Sequence, residues 1–373
     1  MSDDYQAPVP VISSHLADTP CAAFDVSDLL DILNDKLRTS YSLDTPSLSS
    51  LLKDCINKNY NFGMAYGLLR HIWYTNNWST VQDKLHKWEE EDQEMRQKAL
   101  VGKQIINPHL PPRRVWDLYS NRVVPWWSIG ISPISHAWME EKDCVNMWTP
   151  INGYDWPVSI PKDTNLNLIC IEMLNLGAEY AWLDVLYLKQ VYGRGEDLRT
   201  EEWKLDVPTI GAVYRCSIPV VCYLSGLGLP LSLKEGDLDS DQCWFRHAWT
   251  LQKVDTSDGP LHEPIDEDGN YETELLTRFH KHLKSMDYIF YGNMVSTNPV
   301  DKVAGLTFSL RSKRIPAYDE TQGWLFYQYP EPGNAGAKWR PSWDQVMTQS
   351  DSLLIDNTGS NIKSALKQGW FRG

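Results

Sequence analysis

Tyr180-Ala181-Trp182-Leu183-Asp184-Val185-Leu186 is the stretch on which the fold turns. Every residue but Asp184 is apolar or aromatic, and the run holds no Gly or Pro. A short continuous apolar run of this kind reads as a strand buried on both faces. Two more segments read the same way, Trp126 to Ile134 and Ile218-Pro219-Val220-Val221-Cys222-Tyr223-Leu224. Helical signals lie between and after them. Thr164 can cap a helix over about 165–176 that Gly177 stops, a second helical stretch around 200–214 is interrupted at Pro208, and a third is expected over 241–254. Strands alternating with helices imply βαβ units, so the expectation is an α/β fold with a mainly parallel sheet flanked by helices.

Upstream of Pro108, Pro111 and Pro112 the pattern is helical from about residue 26 to 100. Thr45-Pro46 places a capping residue before a helix-starting proline, and Leu48, Leu51, Leu52 and Cys55 follow at helical spacing. Ser79 with Gln82 resembles a capping box, followed by the stripe Val81, Leu85 and Trp88 and the acidic run Glu89 to Asp92, which reads as a solvated face. Residues 1 to about 22 read as a loose or surface-clasping arm. Downstream, an acidic Gly/Pro loop (Asp255 to Gly269) leads into helices around 272–286 and 300–310, and the tail from Tyr329 is Gly-, Pro- and Trp-rich. The expected organisation is an N-terminal arm and helical region over 1–112, an α/β core over 113–255, and a helical and irregular extension over 256–373 that packs on the core.

The 373 residues are 42% hydrophobic and 23% charged, values of a globular chain with ample core. Seventeen Trp and 18 Tyr stand beside only 8 Phe, a bias toward aromatics with polar handles. A formal charge of −14 disfavours nucleic acid and anionic membrane surfaces, both of which demand a basic face. Seven cysteines without a Cys-x-x-Cys pair fit reduced thiols better than a disulfide framework. The acidic N-terminus has no apolar signal region, and no stretch reaches the ~20 apolar residues of a membrane span. The expectation is a soluble cytoplasmic protein.

Three separated segments carry a family likeness. Ile134-Ser135-His136-Ala137-Trp138 is similar to the Ser-His-x-Trp of the fungal heterokaryon incompatibility (HET) domain. Trp182 to Gln190 resembles that family's Trp-(Ile/Leu)-Asp-x-Leu-Cys-Ile-(Asp/Arg)-Gln, with Tyr187 in place of Cys and Lys189 in place of Asp or Arg. Cys243-Trp244-Phe245-Arg246-His247-Ala248-Trp249-Thr250-Leu251-Gln252-Lys253 resembles its Arg-x-x-Trp-Thr-Leu-Gln-Glu, but closes on a base. Gly211-Ala212-Val213-Tyr214-Arg215 precedes the last of these, like the family's Met-x-x-Val-Tyr, and the likeness covers about 115–255. Val115 to Ser120 and Asp301 to Leu306 also look like HET proteins of mushroom-forming fungi.

The resemblance implies a flavodoxin-like core related to TIR domains, some of which cleave NAD with a helix-borne glutamate. Lys253 occupies the corresponding position. Glycosidic cleavage needs a carboxylate to steady oxocarbenium-like charge, and an ammonium there repels it. The candidate catalytic residues are therefore His136, Asp184, Tyr187 and Lys253, and the candidate substrate-binding residues are Ser135, Trp138, Trp182, Gln190, Arg246, Trp249 and Gln252. His136 closes a strand where open α/β sheets place ligands, and an imidazole there could act as a general acid or base. Asp184 inside an apolar strand requires a partner, for which Arg246 is a candidate. The tryptophans could line a cleft or fill the core.

Asp237, Asp239 and Asp241 alternate as Mg²⁺ or Ca²⁺ ligands can, but without the Gly and distal Glu of an EF-hand they read as an acidic loop. No P-loop or Gly-x-Gly-x-x-Gly occurs, and no cofactor is implied. Three functions remain open: a HET protein of non-self recognition and cell death that has lost NAD cleavage, a HET scaffold recruited as a cofactor-independent cyclase or isomerase of a terpenoid-like metabolite, and an inactive binding module. A small-molecule ligand and a second copy of the chain are the partners left open.

Overall fold

The computed structural model describes residues 11–75, 77–101, 104–126, 129–215, 220–229 and 244. The expected helix over 241–254 and the extension over 256–373 lie outside the described residues, Trp244 excepted.

Five helices open the chain: α1 (Ser14–Asp18), α2 (Val26–Leu37), α3 (Leu48–Asn57), α4 (Phe62–Arg70) and α5 (Val81–Ala99). Polar side chains set their starts. Asp25 accepts the Asp28 amide at the head of α2, and Asn61 accepts the Met64 amide at the head of α4, both at 2.8 Å. The apolar stripes then close on one another. Leu29, Leu33, Leu48, Leu52, Phe62, Tyr66 and Trp73 are essentially inaccessible and form one cluster. Each such side chain contributes about 1.5–3 kcal/mol of transfer free energy.

Two local expectations shift. The α3 stripe is buried as read, but the helix begins at Leu48 behind a left-handed Ser47, not at Pro46. The Ser79–Gln82 capping box does not form. Ser79 donates to Asn77, and Gln82 reaches Ser50 and Asp54 on α3 instead. Of the two readings of the arm, the clasping one fits its described part, where the Ile12 amide donates to the Tyr119 carbonyl and Asp18 accepts from Arg122.

Next come β1 (Leu100–Val101) and β2 (Gln104–Ile105), a small antiparallel pair, then β3 (Arg114–Asp117), β4 (Arg122–Pro125), β5 (Ser132–His136), β6 (Cys144–Met147), β7 (Val158–Pro161), α6 (Leu166–Asn175), β8 (Tyr180–Trp182), α7 (Asp184–Tyr187), α8 (Glu196–Asp206), α9 (Ile210–Arg215) and β9 (Val221–Tyr223). One five-stranded sheet has the order β4-β3-β8-β5-β9, and β6 and β7 form a separate antiparallel ribbon.

The chain is α/β, but its sheet is mixed, which corrects the expected mainly parallel sheet. β5 runs parallel to β8 and β9, whereas β3 pairs antiparallel with β4 and with β8. The cause is a hairpin around Ser120-Asn121, with Asn121 at φ +53°, which adds two strands to the outer edge of β8. Its signal, Val115-Trp116 facing Val123-Val124 across a turn, is too short to stand out as a strand pair. The deciding stretch itself is half strand: after Trp182 the chain turns, and Asp184 begins α7. The strand expected over Trp126 to Ile134 lies at Ser132–His136, and the cap of α6 is Asn165, one residue past Thr164. The break at Pro208 falls between α8 and α9, as read.

Alternation along the strands covers both faces of the sheet. Trp116, Val123, Ile134 and Ala181 pack with Ile169 and Met173 of α6 and with Val158 and Ile160 of the ribbon. Val115, Val124 and Tyr180 pack against Met64 and Leu68 of α4, while Trp182 meets Val207, Ile210, Val213 and Tyr214 of the α8–α9 region. Among the described residues, no helix is long and apolar enough to cross a membrane.

The α4–sheet contact depends on Gly67. A Cβ there would lie 2.8 Å from Ser120 Oγ, 3.0 Å from Val124 Cγ1 and 3.1 Å from Asp117 Oδ2. Gly67→Ala is expected to destabilise the fold by about 1–3 kcal/mol, because overpacking outweighs the gain in helix propensity, as read by urea denaturation. Burial also pushes the thiols of Cys21, Cys55 and Cys170 up to about 12. Their thiolate fraction at pH 8 is then on the order of 10⁻⁴. In the native protein these three should resist iodoacetamide at pH 8, and all should be alkylated in urea, as mass spectrometry of the peptides would show.

Candidate functional site

The carboxyl end of β5 carries Ser135 and His136 in adjacent, alternating positions. Neither side chain reaches solvent to any extent, Ser135 at 0% and His136 at 5% exposure. The turn that ends β8 at Trp182 brings the first residue of α7 alongside, and His136 Nε2 lies 2.9 Å from Asp184 Oδ1. The same carboxylate oxygen accepts the Val185 amide at 2.8 Å, as an acidic residue does at a helix start. His136 Nδ1 lies 3.2 Å from the Ala137 carbonyl. Both ring nitrogens therefore lie within hydrogen-bond distance of an oxygen. The pair is buried and joins the ends of neighbouring parallel strands.

Residues from distant segments surround this pair. Trp244 is fully buried and donates its indole N–H to Ser135 Oγ at 2.8 Å. Tyr214, in the Gly211–Arg215 segment, donates to the carbonyl of Ile134 at 3.1 Å. Trp138 lies over the His136 ring, with centroids 5.1 Å apart, and is 38% exposed, so its outer face meets solvent. Tyr223 is the register partner of His136 on β9 and hydrogen-bonds Glu172 of α6. Sequence reading passed over Tyr223 as a site neighbour, since it shows only as one aromatic in an apolar run, and named Trp244 only among the tryptophans that could line a cleft or fill the core.

Other candidates lie elsewhere. Trp182 is buried against the rings of Tyr187 and Tyr214, at 5.2 and 5.5 Å, and its Nε1 has no hydrogen-bond partner among the described residues. Tyr187 points into the same layer. Its hydroxyl accepts the Arg113 amide at 2.8 Å, and burial raises its pKa, so it holds structure rather than facing the His136 ring. Gln190 turns back to the Leu188 carbonyl. Lys189 approaches Glu202 at 3.6 Å, a carboxylate that also takes the Arg114 guanidinium in a two-oxygen contact.

Lys253, Arg246, Trp249, Gln252 and the acidic triplet Asp237, Asp239 and Asp241 lie outside the described residues. Asp184, expected inside a strand, instead heads α7 and has His136 as its side-chain partner. Of the quoted tryptophans that are described, Trp138 alone is exposed. Among the described residues no group of three or more His, Cys, Asp or Glu side chains is placed to hold a metal ion. Chemically the arrangement offers one fixed imidazole–carboxyl unit beneath an exposed indole, at the end of the sheet where α/β proteins take ligands.

Comparison with protein-family models, with curated proteins and with solved structures finds no match to this chain.

Removing one partner of a buried polar pair leaves the other buried without it. His136→Ala should therefore cost about 3–5 kcal/mol of stability, while the double change His136→Leu with Asp184→Leu should cost less than the sum of the single changes. Equilibrium urea unfolding of the single and double variants measures both. Strict additivity would mean that the two groups do not interact.

Proposed function

We propose that the chain is a HET-type recognition module, with its working centre at the carboxyl ends of β5, β8 and β9, and that it no longer cleaves NAD. The observation that carries this reading is the approach of residues from well-separated segments. Ser135 accepts from Trp244 at 2.8 Å, and His136 pairs with Asp184 at 2.9 Å. Such an approach is what a shared site requires.

The order of the three parallel strands supports the same reading. The chain passes from β5 to β8 on one side of it, then crosses to β9 on the other. A doubly wound, flavodoxin-like sheet begins in this way, and the change of direction falls at the strand that carries His136. In such a crevice the His136–Asp184 unit would orient a polar group of a small ligand, and the open face of Trp138 would take a planar ring.

Lys253 removes the acid that would steady a developing oxocarbenium ion, so the module would bind and signal without hydrolysis. Incubating the full chain with NAD and following nicotinamide by chromatography should show no release above buffer, and Lys253→Glu should gain a measurable rate. Release by the unaltered chain, abolished in His136→Ala, would overturn the loss of activity. A silent Lys253→Glu would remove the argument from descent.

A further inference from the structure

A second concavity, which includes none of the residues of the His136–Asp184 site, lies between the N-terminal helices and the edge of the sheet. Its volume is about 480 Å³, within the range of small-ligand sites. One wall is formed by α3, α4 and α5, and the other by β4, the Asn152–Trp156 turn and Arg194. Between them runs an apolar floor of Met64, Leu68, Val123, Val124 and Pro125.

The charges sit on opposite walls and differ in balance. The helical wall presents Asp54 and Glu89 against one ammonium, Lys58. Glu89 makes no ion pair among the described residues, and Asp54 accepts only an amide hydrogen bond from Gln82 there. On the other wall Arg114 is already held by Glu202, which leaves Arg194 as the available cation, beside Asp155, whose carbonyl accepts the Arg194 amide. The turn wall also carries Asn152, whose residue is 4% exposed and whose Oδ1 has no hydrogen-bond partner among the described residues. Its Nδ2 donates to the Trp156 carbonyl, so Oδ1 is the end that lacks a donor.

A ligand that answers the two charged walls and the floor has an ammonium at one end, a carboxylate at the other and apolar side chains between them. We propose that this cleft binds a short apolar peptide with both termini free. Its α-ammonium would sit against Glu89 and Asp54, and its carboxylate against Arg194. This inference is independent of the His136–Asp184 reading and survives its failure.

The test is calorimetric titration of the full chain with Leu-Leu, N-acetyl-Leu-Leu, Leu-Leu-amide and free leucine. Leu-Leu should bind saturably, and blocking either terminus should weaken it about tenfold, the loss of one charge-assisted contact. Glu89→Gln should erase the preference for the free amine, and Arg194→Gln the preference for the free carboxylate. Both side chains are exposed, so neither change should disturb folding, which circular dichroism would check. The proposal fails if Leu-Leu does not bind, if the blocked forms bind equally well, or if both variants keep both preferences.

Discussion

A buried hydrogen-bonded pair, His136 with Asp184, is the interaction on which the centre of this molecule depends. Both side chains are about 5% exposed, so their polar atoms rely on partners inside the protein, and the contact between them is 2.9 Å long. The pair sets a chain of further positions. Asp184 can reach the ring only because β8 stops at Trp182, and the turn that follows fixes where α7 starts. The start of α7 in turn fixes Val185, whose carbonyl takes the Trp156 indole at 3.2 Å and anchors the turn that walls the second cleft. One polar contact thus orders a loop, a helix and the flank of a neighbouring concavity.

The same device recurs wherever two layers meet. Arg70 of α4 donates to Asp117 at the end of β3 at 2.6 Å and to Glu179 at 2.9 Å, between the rings of Tyr119 and Tyr180. Arg113 and Arg96 converge on Asp206, whose burial raises its pKa against the pull of both guanidinium groups. Arg122 holds Asp18 and fastens the first helix to β4. Apolar burial makes the separate clusters, and these directional pairs set how the clusters join. Arginine suits the task because its planar fork meets several acceptors at once and stays charged when buried.

This division explains what was legible in the sequence. The helices with strong stripes, such as α3 with Leu48, Leu51, Leu52 and Cys55, could be read because the signal repeats every turn within one segment. So could the break at Pro208 and the stop at Gly177, which are local backbone effects. The β3–β4 hairpin was missed because four-residue strands carry almost no periodicity, and with it went the mixed character of the sheet. The long-range pairs were invisible for a different reason. Asp117 is 47 residues from Arg70, and Asp206 is 93 from Arg113, and no local pattern distinguishes these acids from the many others in an acidic chain.

The candidate site was legible where resemblance and chemistry agreed, at Ser135, His136 and Asp184. It was not legible at Tyr187, for which position in a motif implied a place near the His136 ring. The physical reason is the turn after Trp182. A strand continuing through Leu186 would alternate, sending Asp184 and Leu186 to one face and Val185 and Tyr187 to the other. A helical turn instead spaces Asp184 and Tyr187 by most of a full rotation and lets sterics decide. Tyr187 takes the apolar side, against Trp182 and under the Arg113 amide, because that layer has both the room and the one donor its hydroxyl needs. The segment therefore does two things at once, placing an acid beside the histidine and an aromatic that seals the layer behind it, and sequence alone cannot separate the two roles.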